Sequence, residues 1–160
     1  MKKNARFPRS AGRIKGFTLI ELMVVVAVLA IIATIAIPAY TRMMNSVRRA
    51  DGRAMATAIA HAEERFFSIY QRYNVDLASL VSMAGLDAQL QAGKSVKGHY
   101  QLDTGKVKPG ASNSINTSFL VTLNPIDAQA NDLYCKTMTI NSEGVKSGTY
   151  DSNYELKCWW

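Results

Sequence analysis

Residues 16–40 read GFTLIELMVVVAVLAIIATIAIPAY, and the rest of the chain is organised around this stretch. Between Leu22 and Ile37 no residue is charged and only Thr34 is polar. An apolar run of roughly 16 to 21 residues lies at the short end of what crosses a bilayer as a helix. The stretch therefore predicts a membrane-spanning helix with one acidic residue, Glu21, near its start.

The positive charge of the chain is concentrated before this stretch. Residues 1–16 hold six basic side chains and no acidic one, within a net charge of +7. The remaining residues have 13 basic and 12 acidic side chains, so they are nearly neutral. A whole-protein argument for nucleic-acid binding is therefore weak. Because basic flanks stay in the cytoplasm, the C-terminal part is predicted to face outward.

The basic and apolar segments are ordered as in a secretory signal, but no cleavage site of the A-x-A kind follows the apolar run. A cut must then precede the run. Gly16 is the favoured position, because glycine lets a peptidase approach an extended backbone. Cleavage there makes Phe17 the new N-terminus. The alternative is an uncleaved signal-anchor.

Glu21 favours cleavage, because a simple anchor has no need of a carboxylate. No basic residue lies inside the apolar segment to pair with it. The amine of Phe17 would lie four positions earlier, on the same helix face. The same amine on a neighbouring copy is an equal candidate, and that pairing would make Glu21 an assembly contact.

These residues resemble the leader junction and N-terminal helix of type IV pilins. In that family a peptidase cuts after the glycine and methylates the new N-terminal phenylalanine, which implies these roles for Gly16 and Phe17. Glu21 matches the family's glutamate, and Pro38 matches its helix-kinking proline. Ala30 departs from the pattern, since many major pilins have glycine there. The resemblance implies three partners: the prepilin peptidase/N-methyltransferase, an inner-membrane assembly platform and other pilin subunits.

Beyond the apolar run, apolar or small residues recur every three or four positions, as on one face of an amphipathic helix. This face consists of Tyr40, Met43, Met44, Val47, Ala50, Ala54, Ala58, Ala62, Phe66 and Ile69. The opposite face consists of Arg42, Arg48, Arg49, Arg53, Glu64 and Arg65. We expect one helix from Phe17 to about Tyr70, with a bend at Gly52. The arginines are expected to be solvated or to contact other subunits, since no aromatic residues interleave them.

Short strand-like segments and turns follow the helix. Residues 73–97 predict a connection containing a helical turn or two at Asp76–Met83. Strands are expected at Gly98–Asp103, Ser118–Asn124, Leu133–Asn141, Val145–Tyr150 and Tyr154–Cys158, with a polar loop at Val107–Asn116. The order predicts an α+β fold, in which a long N-terminal helix packs on an antiparallel sheet of about four strands.

Cys135 and Cys158 are the two cysteines of the chain, and 22 residues lie between them. In a domain exported past a membrane they most simply form one disulfide. Closing a loop of this size is worth about 3 kcal/mol in the chain-entropy model. The alternative is two unrelated buried thiols.

The C-terminal half is similar to type IVa minor pilins of the E type. The features that carry this likeness are Pro125, Asp132 to Cys135, Gly144 and Cys158-Trp159. The family fold would be ladle-shaped, with a C-terminal region closed by the disulfide. The expected divisions are a leader at 1–16, a membrane and filament-core helix at 17–39, its amphipathic half at 40–72, a connection at 73–97, and the sheet at 98–160. The pseudopilins of type II secretion share the leader but are expected to have a calcium loop, for which the acidic residues here are too scattered.

No arrangement of side chains indicates catalysis, a metal or a cofactor. The two histidines, His61 and His99, lie on different predicted elements. Gly93-Lys94-Ser95 ends like a phosphate loop, but the upstream glycine and strand that such a loop requires are missing. We therefore reject both an enzyme and a nucleotide site.

The leading hypothesis is a structural minor pilin, held in the bacterial inner membrane with its C-terminal domain in the periplasm and then assembled into an extracellular pilus. Support of pilus biogenesis, twitching motility and adhesion would follow. One alternative is a type II secretion pseudopilin. Another is a pilin that binds DNA for uptake through a strip of lysines, namely Lys94, Lys97, Lys106 and Lys108. Four lysines over this distance are more often a solvated loop.

Overall fold

The computed structural model describes residues 16–110, 114–149, 158 and 159 of the chain. These residues form two compact units, which meet in sequence at Ala39 and Tyr40. Each unit is described by itself below.

The predicted long helix is α1, Leu19–Tyr70, which contains Pro38 and contributes to both units. In the first unit the large aliphatic side chains up to Ile37 are exposed. The helix includes an 18-residue window with a mean hydropathy of 2.9, none of it buried inside the protein. By length and composition the helix is able to cross a membrane, although a signal sequence or the core helix of a soluble protein meets the same two criteria.

The second unit contains one antiparallel sheet, which confirms the predicted fold class. Its strands are β1 (Tyr100–Leu102), β2 (Lys108–Pro109), β3 (Phe119–Pro125), β4 (Thr137–Asn141) and β5 (Lys146–Thr149). The order is β1-β3-β4-β5, and β2 also pairs with β3. Strand β3 therefore has neighbours on both sides. Its alternating sequence buries Phe119, Val121 and Leu123 and leaves the residues between them half-exposed.

Two predicted boundaries are wrong. The polar loop at Val107–Asn116 contains strand β2, whose proline is tolerated in a two-residue strand beside β3. The segment Leu133–Asn141 is extended only from Thr137, because Asp132 accepts a hydrogen bond from the Tyr134 amide and turns the chain there. The expected strand at Tyr154–Cys158 lies outside the described residues, apart from Cys158 itself.

The face of α1 that packs on the sheet agrees with the predicted one only in part. Tyr40, Met43 and Val47 are exposed, whereas Ala62 and Phe66 are buried as predicted. The buried residues are Arg49, Asp51, Gly52, Met55, Ala56, Ile59, Ala60, Ala62, Glu63 and Phe66. Three of these are ionisable. The core face therefore includes charged residues that a count of apolar positions leaves out, and part of the exposed stripe is apolar enough to resemble a core.

Gly52 does not interrupt α1, which continues through it. It provides room for an aromatic ring instead. A Cβ placed on Gly52 would lie 2.8 Å from two ring atoms of Tyr100, which is fully buried. Glycine is needed here for the close approach of helix and sheet, at the expense of about 1 kcal/mol of helix propensity.

The connection between helix and sheet contains α2, Leu77–Ala84, close to the predicted position. Asp76 caps its N-terminus by accepting hydrogen bonds from Ala78 and Ser79, and Gly85 ends it in the left-handed region. Cys135 and Cys158 form the predicted disulfide. Trp159 is buried beside it and donates its indole N–H to the Ser147 carbonyl, at 2.8 Å. The tryptophan thus covers the core rather than offering an exposed surface.

Candidate nucleic-acid interface and assembly residues

A buried ion pair attaches α1 to the segment before β4. The Arg49 guanidinium donates to both carboxylate oxygens of Asp132, at 2.6 and 2.7 Å. Both residues are buried, with Asp132 fully so. The Gln129 amide and the Tyr134 N–H donate to the same carboxylate, at 2.9 and 3.0 Å. The expectation of a solvated Arg49 is therefore wrong, because the pair and its hydrogen bonds replace the water that burial removes.

A buried carboxylate on α1 itself organises the loop that precedes β1. Asp51, also on α1, accepts from the Ser95 hydroxyl at 2.5 Å, from the Lys97 N–H at 3.2 Å and from the His99 N–H at 3.4 Å. The Ser95 hydroxyl oxygen in turn accepts from the His99 and Tyr100 amides, each at 3.0 Å. The loop thus closes around Asp51, and the exposed Lys94 and Lys97 lie within it.

The segment Gly93-Lys94-Ser95, which resembles the end of a phosphate loop, belongs to this loop. A phosphate loop aims backbone N–H groups at a bound anion. Here the anion is the protein's own carboxylate, since Asp51 already accepts from the Lys97 and His99 amides. These two backbone N–H groups are therefore occupied, and the lysine side chains of the loop remain at the surface.

The other two lysines of the predicted strip lie near the same edge of the sheet. Lys94 is bridged to Gln101 of β1, and Lys108 is on β2. Lys108 forms an ion pair with Asp103, and this hydrogen bond holds the Asp103 pKa below its ordinary value. The hydrogen bond from the Ser79 side chain is the main cause of the lowered pKa of Asp76. The charge of Lys106, which is exposed, also lowers this pKa. The strip is therefore partly neutralised at the Lys106 and Lys108 end.

Glu63 is the second buried carboxylate of α1. Its Oε2 accepts the Asn74 N–H at 2.9 Å, and its Oε1 has no hydrogen-bond partner among the described residues. Burial raises its pKa to about 7, against the opposing hydrogen bond from Asn74, and the neighbouring charge of Glu64 adds to the rise. Through this carboxylate, α1 is bound to Asn74 in the connection that follows the helix.

At the N-terminal end of the described chain, Glu21 has a partner that the sequence analysis did not foresee. The Thr18 N–H and hydroxyl both donate to Glu21 Oε2, at 2.8 Å each. The Glu21 N–H donates back to the Thr18 hydroxyl at 3.3 Å. This is a capping box, in which residues three apart satisfy the first free groups of a helix. The expectation that only the Phe17 amine offers an internal partner is therefore wrong.

The comparison with protein families decides what this chain is. Residues 38–139 match the family described as "Type IV minor pilin ComP, DNA uptake sequence receptor". The chain belongs to the type IV pilins. Residues 12–37 also match the prokaryotic N-terminal methylation motif. Pilins are structural proteins that assemble with other pilins into a filament, and the apolar N-terminal helix fits a membrane-anchored subunit of this kind.

Individual relatives agree over shorter stretches. The pilin is 38% identical over 79 residues to the type IV major pilin protein PilA of Myxococcus xanthus, a match that covers 49% of this chain and 36% of the relative. It is 49% identical over 45 residues to the major fimbrial protein FimA of Dichelobacter nodosus, covering 28% of each. These matches span about a third of the length of the curated relatives. A type IV pilin structure from Shewanella oneidensis aligns with a TM-score of 0.43 at 20% identity, covering 72% of this chain and 98% of that one.

The residues that organise the pilin's surface are the ones that sequence reasoning missed. Asp51 and Glu63 were not singled out for any role, and Asp132 only as part of the family likeness, because a lone acidic residue on a helix or in a loop carries no local motif. One signal was available for the first two. Each falls among the small and apolar residues that turn out to form the core face of α1, and buried acidic residues require a partner.

Proposed function

We propose that this pilin is a minor subunit of a type IV pilus and that its outer domain binds DNA for uptake. The observation that carries the DNA part is the match of residues 38–139 to a family described as a DNA uptake sequence receptor. The exposed Lys94 and Lys97 support it, since cations held on an ordered loop are suited to phosphate contacts. The Lys106 and Lys108 end contributes less charge because acidic residues lie beside it.

The route to the filament follows from the N-terminal half. The chain is held in the inner membrane by its apolar helix, with the outer domain in the periplasm, and the prepilin peptidase cuts after Gly16 and methylates Phe17. The assembly platform then transfers the helix into the filament core. Lipid and filament core are both dry, so the aliphatic side chains never enter water, which would cost about 1–2 kcal/mol each. Pro38 would kink the helix at the point where it leaves the core.

Glu21 has two tasks in this scheme. The carboxylate stabilises the helix start through Thr18, and its unused oxygen can accept from the Phe17 amine of a neighbouring subunit.

Glu21→Ala is therefore expected to insert normally into the membrane and to be missing from the filament. Immunoblots of sheared pili and of the inner-membrane fraction measure the two pools. Thr34→Ala, a change at another polar residue of the same segment, is the control and is expected to assemble. Normal assembly of Glu21→Ala would contradict the assembly contact.

Mass spectrometry of the purified pilin tests the processing step. An N-methylated Phe17 terminus is expected. A chain that begins at Met1 would indicate an ordinary signal-anchor and would remove the filament role.

DNA binding is tested with the full-length processed chain in detergent and a short fluorescent DNA duplex. Binding should weaken steeply between about 50 and about 200 mM salt, because each phosphate contact releases counterions. The double variant Lys94→Gln/Lys97→Gln should lower both the affinity and the salt slope, the slope by about 2. No binding by the unsubstituted chain at low salt would refute the DNA role and leave the structural one intact.

A further inference from the structure

The loop that bears Lys94 and Lys97 is bound to α1 through one carboxylate, that of Asp51. Asp51 accepts three hydrogen bonds from it: one from a side chain and two from the backbone, at residues 95, 97 and 99. Asp51 is itself 9% exposed. The Ser95 hydroxyl that it orients also accepts from the His99 N–H and from the Tyr100 N–H, so the carboxylate and the hydroxyl together bind the backbone donors of residues 97, 99 and 100. Removing the carboxylate would leave the Ser95 hydroxyl and the Lys97 N–H without this acceptor.

We infer that Asp51 is a positioning residue for DNA binding, which holds the loop of residues 94–99 so that Lys94 and Lys97 meet neighbouring phosphates of the duplex. The inference rests on the proposed DNA role. Backbone N–H groups of Lys97 and His99 are fixed on a helix of the core, so the exposed lysines extend from an ordered base. A long cationic side chain on an ordered base loses less freedom on binding than one on a mobile loop.

The sign of the expected effect separates this inference from simple electrostatics. Asp51 is negative and lies directly beneath the loop, so removal of its charge makes the surface more positive. Long-range attraction alone would then make Asp51→Ala bind DNA more tightly, within the screening length of about 10 Å at 0.1 M salt. Positioning predicts the opposite, because the lysines lose their fixed places even though the net charge rises.

The test uses the full-length pilin in detergent and a fluorescent DNA duplex, titrated at several salt concentrations. Asp51→Ala is expected to lower the affinity about tenfold at about 50 mM salt and to reduce the salt slope by between about 1 and about 2. Asp51→Asn keeps one side-chain oxygen as an acceptor and should lose about threefold. Glu143→Gln removes one exposed carboxylate in the turn after β4 and serves as the charge control, with affinity equal to or slightly above that of the unsubstituted chain.

A double-mutant cycle separates positioning from general damage to the fold. When Asp51→Ala is added to Lys94→Gln/Lys97→Gln, no further loss of affinity is expected, because the loop no longer carries the contacts that Asp51 positions. Affinity of Asp51→Ala and Asp51→Asn equal to or above that of the unsubstituted chain would overturn the inference and leave the DNA role standing. Additive losses in the cycle would overturn it as well. Absence of binding by the unsubstituted chain would refute the proposed DNA role and this inference with it.

Discussion

Asp132→Ala is expected to lower the free energy of unfolding of the outer domain by about 3–5 kcal/mol. The substitution leaves the Arg49 guanidinium buried without the carboxylate that binds it through two hydrogen bonds. It also removes the acceptor of the Tyr134 N–H and one of the three acceptors of the Gln129 amide. Removing one partner of a buried ion pair costs far more than the pair contributes, so the effect exceeds that of most single substitutions.

Urea denaturation of the full-length pilin in detergent, followed by tryptophan fluorescence, measures this loss. Both tryptophans of the chain lie at its C-terminal end, and Trp159 is buried in the outer domain, so the signal reports on that domain. Asp103→Ala is the matched control. It removes the carboxylate of the half-exposed pair with Lys108, and exposed pairs contribute only about 0–1 kcal/mol. A loss at Asp132 no larger than that at Asp103 would show that the burial of the Arg49 pair has no energetic consequence.

The replacement of both partners distinguishes the charge from the packing. Arg49→Met combined with Asp132→Leu removes the pair and keeps a filled interior. Such exchanges of buried pairs for apolar side chains are often neutral or stabilising. The double variant is therefore expected to be more stable than Asp132→Ala alone, in the same urea titration. A double variant as unstable as the single one would place the loss in the remaining hydrogen bonds of the network.

The fold class could be predicted from the sequence because its signals are local. The apolar run, the length of the helical pattern and the alternation in Phe119–Pro125 each depend on neighbouring residues only. Residues Asp76 and Gly85, which end α2 on either side, are recognisable for the same reason. The disulfide followed from two cysteines and an exported domain.

The orientation of α1 could not be predicted in the same way. Its exposed stripe is made of Tyr40, Met43 and Val47, which would be core residues in most helices. Its buried face includes Arg49 and Asp51, whose partners are distant in sequence, 83 and 44 positions away. Counting the apolar residues on each face uses the sequence of the helix alone. Whether a charged residue of the helix is buried depends on a distant segment, which must supply its partner.

The candidate DNA surface shows the same division. The four lysines were visible in the sequence as a basic strip, but their different surroundings were not. Asp103 and Asp76 reduce the charge at one end, while Asp51 fixes the backbone at the other. The sequence thus indicates where the lysines are. The tertiary contacts decide which of them lie on an ordered loop and which lie beside an acidic residue.

Glu63→Gln is expected to stabilise the outer domain at alkaline pH and to leave its stability unchanged in acid. The carboxylate is fully buried, and burial raises its pKa to about 7 from an ordinary value of 4.5. The folded protein therefore holds a proton on Glu63 that the unfolded chain has lost, in the window between pH 4.5 and about 7. Stability falls as the pH rises through that window, and the loss is complete above it. Since one pKa unit corresponds to about 1.4 kcal/mol, the full loss is about 3 kcal/mol.

The neutral amide of the variant removes this loss while its carbonyl oxygen still accepts the Asn74 N–H. Urea titrations of the full-length pilin at about pH 4 and about pH 8.5 should therefore show a gain of about 3 kcal/mol for Glu63→Gln at the higher pH and almost none at the lower. Glu143→Gln is the control, since its exposed carboxylate should give no gain at either pH. A gain of equal size at both pH values would mean that the variant packs better for reasons unrelated to charge, and a loss at alkaline pH would mean that Glu63 is stabilised in its ionised form by the donors around it.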